Sequence, residues 1–102
     1  MTVRELIEKL DIKNHIIVDT VCIRNNEGRS ISQFDIREYK SIRDCILNCN
    51  DIKKYSIFYD QIHDGEFVLY ITLNSDPLIE EFYKNKFARE RCIDKYVEVR
   101  ND

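Results

Sequence analysis

An Asp-Gly pair, Asp64-Gly65, lies between two β-rich segments and constrains the fold more than any other local feature. Residues 54–62 precede the pair and residues 66–74 follow it. Both segments are rich in the β-branched and aromatic residues that favour strands. Because Asp and Gly tolerate the positive φ angles of tight turns, this arrangement predicts an antiparallel β-hairpin.

The first half of the chain carries the signals of a helix and another hairpin. Thr2 and Glu5 have the spacing of a capping box, and the apolar stripe that follows predicts a helix over residues 3–11. The β-branched residues beyond it predict two antiparallel strands, over residues 15–24 and 29–35. The loop between these strands, Asn25–Gly28, contains residue types that tolerate positive φ.

Two more helices are predicted from apolar residues at helical spacing. The second helix ends near Asn50 and has Asp35 or Ser41 as alternative caps. Its apolar residues are Tyr39, Ile42, Cys45 or Ile46, and Cys49. The third helix starts at Pro77, with Asp76 as its N-cap. Its apolar face consists of Leu78, Ile79, Phe82, Tyr83 and Phe87.

These elements give the order α-ββ-α-ββ-α, with a last strand left open. Residues 96–99 either form that strand or follow a helix that continues through residues 92–96. Two successive ββα units predict the α+β class, with a mostly antiparallel sheet of two β-hairpins and helices packed on it. No linker or low-complexity tract interrupts the chain, so residues 1–102 are expected to form a single α+β domain.

Charge limits the classes of partner. The formal net charge of −3 argues against direct nucleic-acid binding, since Lys and Arg supply most of the affinity for phosphate. Between Tyr55 and Tyr83 there are six acidic residues and no Lys or Arg, a local charge of −6. This stretch indicates either a surface that docks on a basic partner or a solvated hairpin tip followed by a helix N-terminus.

No residue cluster has the spacing of a known catalytic or metal site. His63 beside Asp60 and Asp64 has the composition of a metal or acid/base cluster, but a hairpin turn favours these residue types as well. Cys45 and Cys49 share one face of the predicted second helix, which leaves a zinc site open, although the C-x2-C spacing is missing. We therefore expect a protein that is not an enzyme and needs no cofactor or metal.

The N-terminal residues and the lengths of the apolar stretches bear on localisation. The first five residues run into a charged helical pattern and lack the features of a secretion signal. The uncharged stretches are too short to cross a bilayer, which takes about 20 residues. We expect a cytoplasmic protein with no membrane association.

The hairpin around Asp64-Gly65, which we call the central hairpin because it lies in the middle of the chain, indicates where a partner would bind. Pairing of Ile62 with Phe67 would place Tyr59 opposite Tyr70. The face toward the core would then consist of Phe58, Ile62, Phe67, Leu69, Ile71 and Leu73, and the other face of Tyr55, Ile57, Tyr59, Val68 and Tyr70. The expected partner-binding residues are the acids Asp60, Asp64 and Glu66 with the aromatic residues Tyr55, Tyr59 and Tyr70. Alternatively, another helix or the C-terminal segment covers this face, or a second copy does.

The first helix, with the sequence of residues 2–10, and the apolar strand Phe67–Leu73 resemble small phage and prophage proteins of low-GC bacteria. A recurrent function among such proteins is inhibition of bacterial immunity, including anti-CRISPR activity. The resemblance implies a binding protein that blocks an RNA-guided nuclease of the host, and no functional residue is carried over with it. The alternative hypothesis is a homodimeric structural or regulatory module, in which Tyr59 and Tyr70 meet their symmetry mates.

Overall fold

A computed structural model describes residues 1–13, 18–61 and 65–88 of the protein, which has the expected α+β fold. The elements in chain order are α1 (Val3–Lys13), β1 (Thr20–Arg24), β2 (Ser30–Asp35), a 3-10 helix (Ile36–Ser41), α2 (Asp44–Leu47), β3 (Ile52–Asp60), β4 (Glu66–Leu73) and α3, of which residues 77–88 are described. Three predicted features lie outside the described ranges: the strand residues 15–17, the turn residues 62–64, and residues 96–99, for which a last strand was one of two alternatives.

The four strands form one sheet in the order β2-β1-β4-β3. Both predicted hairpins are confirmed, because β1 pairs antiparallel with β2 and β3 pairs antiparallel with β4. The two hairpins are joined by a parallel pairing of β1 with β4. The backbone N–H of Asp19 donates to the carbonyl of Phe67 at 2.9 Å, and the N–H of Phe67 donates to the Asp19 carboxylate at 3.0 Å. These bonds hold the starts of the two central strands side by side.

Helix α1 begins where the capping box predicts. The Thr2 hydroxyl oxygen accepts a hydrogen bond from the backbone N–H of Glu5 at 3.2 Å and itself donates to the Glu5 carboxylate at 3.1 Å. This satisfies an N–H group that has no partner inside the helix. The stripe of apolar residues behind the cap is buried to 5% exposure or less, and comprises Val3, Leu6, Ile7 and Leu10.

The main core cluster lies on one side of the sheet, although Cys22 and Val68 on the other side are also buried, at 5% and 6% exposure. The sheet contributes odd-numbered residues of the two central strands, β1 and β4, to this core: Val21, Ile23, Leu69, Ile71 and Leu73. The helices cover this side, which we call the helix side. Residues Ile46 and Leu47 of α2 join the α1 stripe in the same cluster. The Tyr39 hydroxyl ties the 3-10 helix to α1 by donating to Glu8 at 3.0 Å.

The predicted second helix is present as α2, which ends at Leu47, but it is shorter than expected. The segment is divided into the 3-10 helix and the four-residue α2, with Ile42 and Arg43 extended between them. The Ser41 hydroxyl donates to the Glu38 carbonyl at 2.7 Å, a local bond that competes with the helix ladder. Asp35, one of the two alternative caps predicted for the second helix, instead caps the 3-10 helix, since its carboxylate accepts from the Arg37 N–H at 2.9 Å.

The register predicted for the central hairpin was wrong. Phe67 pairs with Tyr59 and not with Ile62, and Tyr70 pairs with Ser56. Tyr59 therefore lies on the same side of the sheet as Phe67, while Tyr70 points to the other side. The physical reason is that β3 carries apolar residues at both odd and even positions, so its own pattern does not select a register.

The turn after β1 and the start of α3 are held together by one buried polar side chain. The Asn25 side-chain oxygen accepts from the N–H groups of Glu27 and Arg29 at 3.0 and 2.9 Å, and its amide donates to Asp76 at 3.0 Å. The other oxygen of Asp76 accepts from the first N–H groups of α3, which confirms the predicted N-cap.

None of the helices in the described ranges combines the length and apolarity needed to cross a membrane.

Candidate functional site

The second side of the sheet is a candidate interaction surface, which we call the open face. It is formed by the side chains of alternate strand residues that point away from the core: Gln33 and Asp35 of β2, Thr20, Cys22 and Arg24 of β1, Glu66, Val68, Tyr70 and Thr72 of β4, and Lys54, Ser56, Phe58 and Asp60 of β3. Two shallow grooves run over it, and strand residues line almost all of both. Among the described residues, no helix packs against this face.

An aromatic and cationic cluster forms the centre of the open face. The Arg24 guanidinium carbon lies 4.4 Å from the centroid of the Tyr70 ring, in a cation-π contact. The Phe58 ring meets Tyr70 edge to face, with 5.9 Å between centroids and 64° between ring planes. Phe58 is 58% exposed. The cluster therefore presents a large apolar ring directly to solvent beside a delocalised cation.

The two ends of the open face carry opposite charges. Because β1 and β4 are parallel, their first residues lie at one end of the sheet, and the last residue of β3 lies there too. This acidic end contains Asp60 and Glu66, whose carboxylate accepts from the Thr20 hydroxyl at 3.1 Å. The other end contains Lys54 and the backbone of Arg24, whose guanidinium extends toward the centre over Tyr70. A partner with a complementary charge distribution is therefore favoured in one orientation.

Asp35 also lies at the acidic end, but its charge is balanced locally. Arg37 binds its carboxylate through two guanidinium nitrogens, at 3.0 and 2.7 Å. These hydrogen bonds, together with that from the Arg37 backbone N–H, lower the pKa of Asp35 to about 2. Asp35 therefore contributes little net charge to the acidic end of the open face.

The structure brings together three of the six residues predicted from sequence to bind a partner. Asp60, Glu66 and Tyr70 all lie on the open face. Tyr55 and Tyr59 do not, because the observed register turns them to the helix side, where they are 51% and 54% exposed. Asp64 lies outside the described residues.

Sequence reasoning missed two residues at the centre of the site, Arg24 and Phe58. The predicted register places Phe58 in the core, and the sequence pattern marks Arg24 only as the last residue of a predicted strand. The usable signal was the alternation in β1, where Val21 and Ile23 face the core and the alternate residues Cys22 and Arg24 face the other side. The parallel contact that brings Arg24 over Tyr70 has no such local signal.

The cysteines on the helix side pack against the core without forming a metal cluster within the described part of the chain. Cys45 and Cys49 are partly buried against core residues. Burial raises the pKa of the Cys45 thiol, and a hydrogen bond with the Glu81 carboxylate raises it further. No group of three His, Cys, Asp or Glu residues in the described ranges is placed to hold a metal ion.

Comparison with models of protein families, with curated proteins and with solved structures finds no match to this chain. The function is therefore inferred from the side chains of the open face and their contacts.

A second apolar surface lies on α3. The helix begins at Pro77 as predicted, and its Glu81 forms an ion pair with Arg43 at 2.9 Å. Leu78 packs against the core. The other predicted apolar residues of the helix are each more than half exposed: Ile79, Phe82, Tyr83 and Phe87. In the described residues, therefore, most of the apolar face of α3 does not contribute to the core.

Proposed function

We propose that the protein is a non-enzymatic binding module that uses the open face to hold a protein partner. The observation that supports this most directly is the exposed cluster of Arg24, Phe58 and Tyr70 at the centre of a sheet face with no helix on it among the described residues. Tyr and Arg are enriched among the residues that dominate protein interfaces. Exposed aromatic surface bordered by charged groups is typical of such interfaces.

A protein partner fits this surface better than single-stranded nucleic acid does. Arg24 already occupies one face of the Tyr70 ring, which leaves Phe58 as the exposed ring of the cluster, whereas proteins that bind single strands stack successive bases on several aromatic rings. Asp60 and Glu66 would repel phosphates at one end of the site. The formal net charge of −3 adds no general attraction for nucleic acid.

The narrower proposal is that the partner is a bacterial defence nuclease, specifically an RNA-guided one, as the resemblance to small phage proteins implies. This protein would then be a phage or mobile-element inhibitor of that nuclease. Such nucleases hold nucleic acid in positively charged channels. The acidic end of the open face, with Asp60 and Glu66, has the charge needed to dock against such a channel. Occupying the channel would block nucleic-acid binding without any chemistry.

A binding assay with purified RNA-guided nucleases tests the narrower proposal, and exchange of single residues tests the surface. We expect Phe58→Ala and Tyr70→Ala each to weaken binding roughly tenfold or more, because truncating a central aromatic residue at an interface commonly has that effect. Tyr55→Ala is the matched control, since Tyr55 is also on the central hairpin and half exposed but points to the helix side. It should bind like the wild type.

Charge variants address the acidic end. Glu66→Lys should lower the affinity and reduce its dependence on salt, whereas Glu66→Gln keeps the size of the side chain and should have a smaller effect. Glu27→Lys makes the same charge change at an exposed turn residue and serves as the control. Unchanged affinity and salt dependence for Glu66→Lys would exclude the acidic end as a contact. Equal binding by Tyr70→Ala and the wild type would exclude the open face altogether.

If no nuclease binds, capture from a bacterial lysate with the wild type, Tyr70→Ala and Tyr55→Ala as parallel baits tests the broader proposal. A protein partner of the open face should be retained by the wild type and Tyr55→Ala and lost from Tyr70→Ala. Retention of the same proteins by all three baits would contradict the proposal.

A further inference from the structure

Strand β3 forms one edge of the sheet, and within the described residues it pairs only with β4. It is nine residues long, and large side chains project from both of its sides. Tyr55 and Tyr59 lie on the helix side and Phe58 lies on the open face, each more than half exposed. An edge of this length presents a row of backbone N–H and C=O groups to which another strand can add.

The charges on β3 indicate what that other strand is. Lys53 and Lys54 lie near the beginning of the strand, and Asp60 is its last residue. A strand with a basic start and an acidic end is complementary to an antiparallel copy of itself, because each basic end then meets an acidic end. A basic or acidic peptide would match only one half of the edge.

We infer that two copies of this protein associate through their β3 strands, paired antiparallel about a two-fold axis at Ile57. Lys54 of each copy then lies opposite Asp60 of the other on the open face. Tyr55 lies opposite Tyr59 of the other copy on the helix side. Directly opposed residues of antiparallel strands share a face of the sheet, and this register meets that condition for every pair.

Neighbouring registers lose this complementarity. The smallest shift that keeps the faces matched is two residues. In one direction it places Asp60 opposite Ile52 and in the other opposite Ser56, so neither charge pair forms. The irregularity between Ile52 and Lys54 marks the limit of the regular strand, because bulges end regular pairing. The segment from Lys54 to Asp60 is therefore the part of the edge that is available for pairing.

Such a dimer would have one eight-stranded sheet, with four strands from each copy. The open faces of the two copies would be continuous across the new junction. The dimer does not depend on the function proposed above: its charge pair shares Asp60 with the acidic end of the open face, but Arg24, Glu66 and Tyr70 take no part in it.

Exchange of the two charges provides a sharp test, read by sedimentation equilibrium. We expect a concentration-dependent dimer for the wild type. Lys54→Asp and Asp60→Lys each place like charges opposite each other at two symmetric positions, and each should raise the dimer dissociation constant about tenfold or more. An equimolar mixture of the two variants should recover association as a heterodimer, since Lys and Asp are then opposed at both positions.

Lys53→Asp is the matched control. It makes the same charge change on the adjacent residue, which lies at the irregularity just outside the proposed paired segment, and should affect association much less. Circular dichroism and thermal melting identify any variant that fails to fold. A monomeric wild type at high micromolar concentration would overturn the inference, and so would equal weakening by Lys53→Asp and Lys54→Asp. Failure of the mixture to recover association would exclude this register. Tyr70→Ala should leave the dimer intact, which separates this test from that of the open face.

Discussion

The guanidinium of Arg24 lies over the ring of Tyr70, with 4.4 Å between the guanidinium carbon and the ring centroid. The two residues are 46 positions apart in sequence and come from different hairpins. Tyr70 pairs with Cys22 in the parallel ladder, and Arg24 pairs with Thr72, so the contact is diagonal across the two central strands. It joins the hairpins on the open face, opposite the core that joins them on the helix side.

We expect the Arg24–Tyr70 contact to contribute measurably to stability. A double-mutant cycle with Arg24→Ala and Tyr70→Leu, measured by urea denaturation, should give a coupling free energy of about 0.5–1 kcal/mol, as for other exposed cation-π pairs. The same cycle with Arg29→Ala in place of Arg24→Ala should give a coupling near zero. A coupling within error of zero for the Arg24 cycle would mean that the contact does not persist in solution.

Asn25 should be the most sensitive polar residue of the described fold. It is 4% exposed and bonds to the N–H groups of Glu27 and Arg29 and to Asp76. Asn25→Ala leaves buried groups without partners and should lower the free energy of unfolding by about 1–3 kcal/mol. Thermal or urea denaturation measures the change.

Exchanging the two side chains, so that Asp stands at position 25 and Asn at position 76, distinguishes the contribution of the Asn25–Asp76 hydrogen bond to stability from that of packing. Asn25→Asp keeps the acceptor for the turn N–H groups but places a second carboxylate against Asp76, so it should be destabilised at neutral pH. Adding Asp76→Asn should recover most of the stability, because Asn is also an effective N-cap for α3 and the bond can form in the reverse direction. No recovery in the double variant would contradict this account of the junction.

Asp35 should make stability depend on pH in the acid range. Its pKa in the folded protein is lowered to about 2 by Arg37, whereas an unfolded Asp has a pKa of about 3.9. The stabilisation is therefore fully present above about pH 4 and is lost as the pH falls toward 2. Asp35→Asn should remove this component, so that the difference in unfolding free energy between wild type and variant shrinks as the pH falls through this window.

The size of that effect is limited by solvent, because the Asp35–Arg37 pair is exposed and exposed pairs are screened. Urea denaturation of both proteins at several pH values and at low and high salt measures it. High salt should reduce the pH dependence of the difference. A difference that is the same at pH 2 and at neutral pH would show that the ion pair does not contribute. Asp35→Ala, which also removes the cap of the 3-10 helix, should be less stable than Asp35→Asn at every pH.

The two glycines offer a test of the central hairpin. Both have positive φ, +81° at Gly28 and +75° at Gly65. Replacement of either by Ala imposes a backbone cost of about 1–2 kcal/mol. At Gly28 the added methyl group meets no atom within 4 Å, whereas at Gly65 it would collide with the Tyr59 hydroxyl.

We therefore expect Gly65→Ala to be more destabilising than Gly28→Ala, as measured by thermal melting. The excess should be small, because the end of the Tyr59 side chain can move, and it should disappear in a Tyr59→Leu background, which removes the ring and its hydroxyl. If the excess persists in that background, Tyr59 is not its cause. This result would also count against the register that places Tyr59 opposite Phe67.

Much of the local structure could be predicted from residue types that act within a few positions. The Thr2–Glu5 cap of α1, the turn that ends at Gly28 and the Asp76 cap of α3 are all confirmed. Each depends on one side chain or one φ angle that the neighbouring backbone requires. The α+β class follows from the alternation of these helices and hairpins.

The candidate site could be predicted only in part, because it depends on which strands are neighbours. The sequence indicated an exposed aromatic and acidic hairpin, and Asp60, Glu66 and Tyr70 do lie on one face. The placement of Tyr55 and Tyr59 failed because the observed register differs from the predicted one by three residues, and a shift by an odd number of residues exchanges the two faces of a strand. Arg24 joined the site only through the parallel pairing of β1 with β4.

The sequence by itself determined where α1 and α3 begin and where the turn at Gly28 lies, since caps and turns are satisfied by bonds between residues close in the chain. The tertiary structure decided the strand order, the hairpin register and the side of the sheet that the helices cover. In β4 the odd-numbered residues Leu69 and Ile71 are fully buried, and this burial fixes its orientation. In β3 both sides carry apolar residues, so only pairing with β4 could decide which of them face the core.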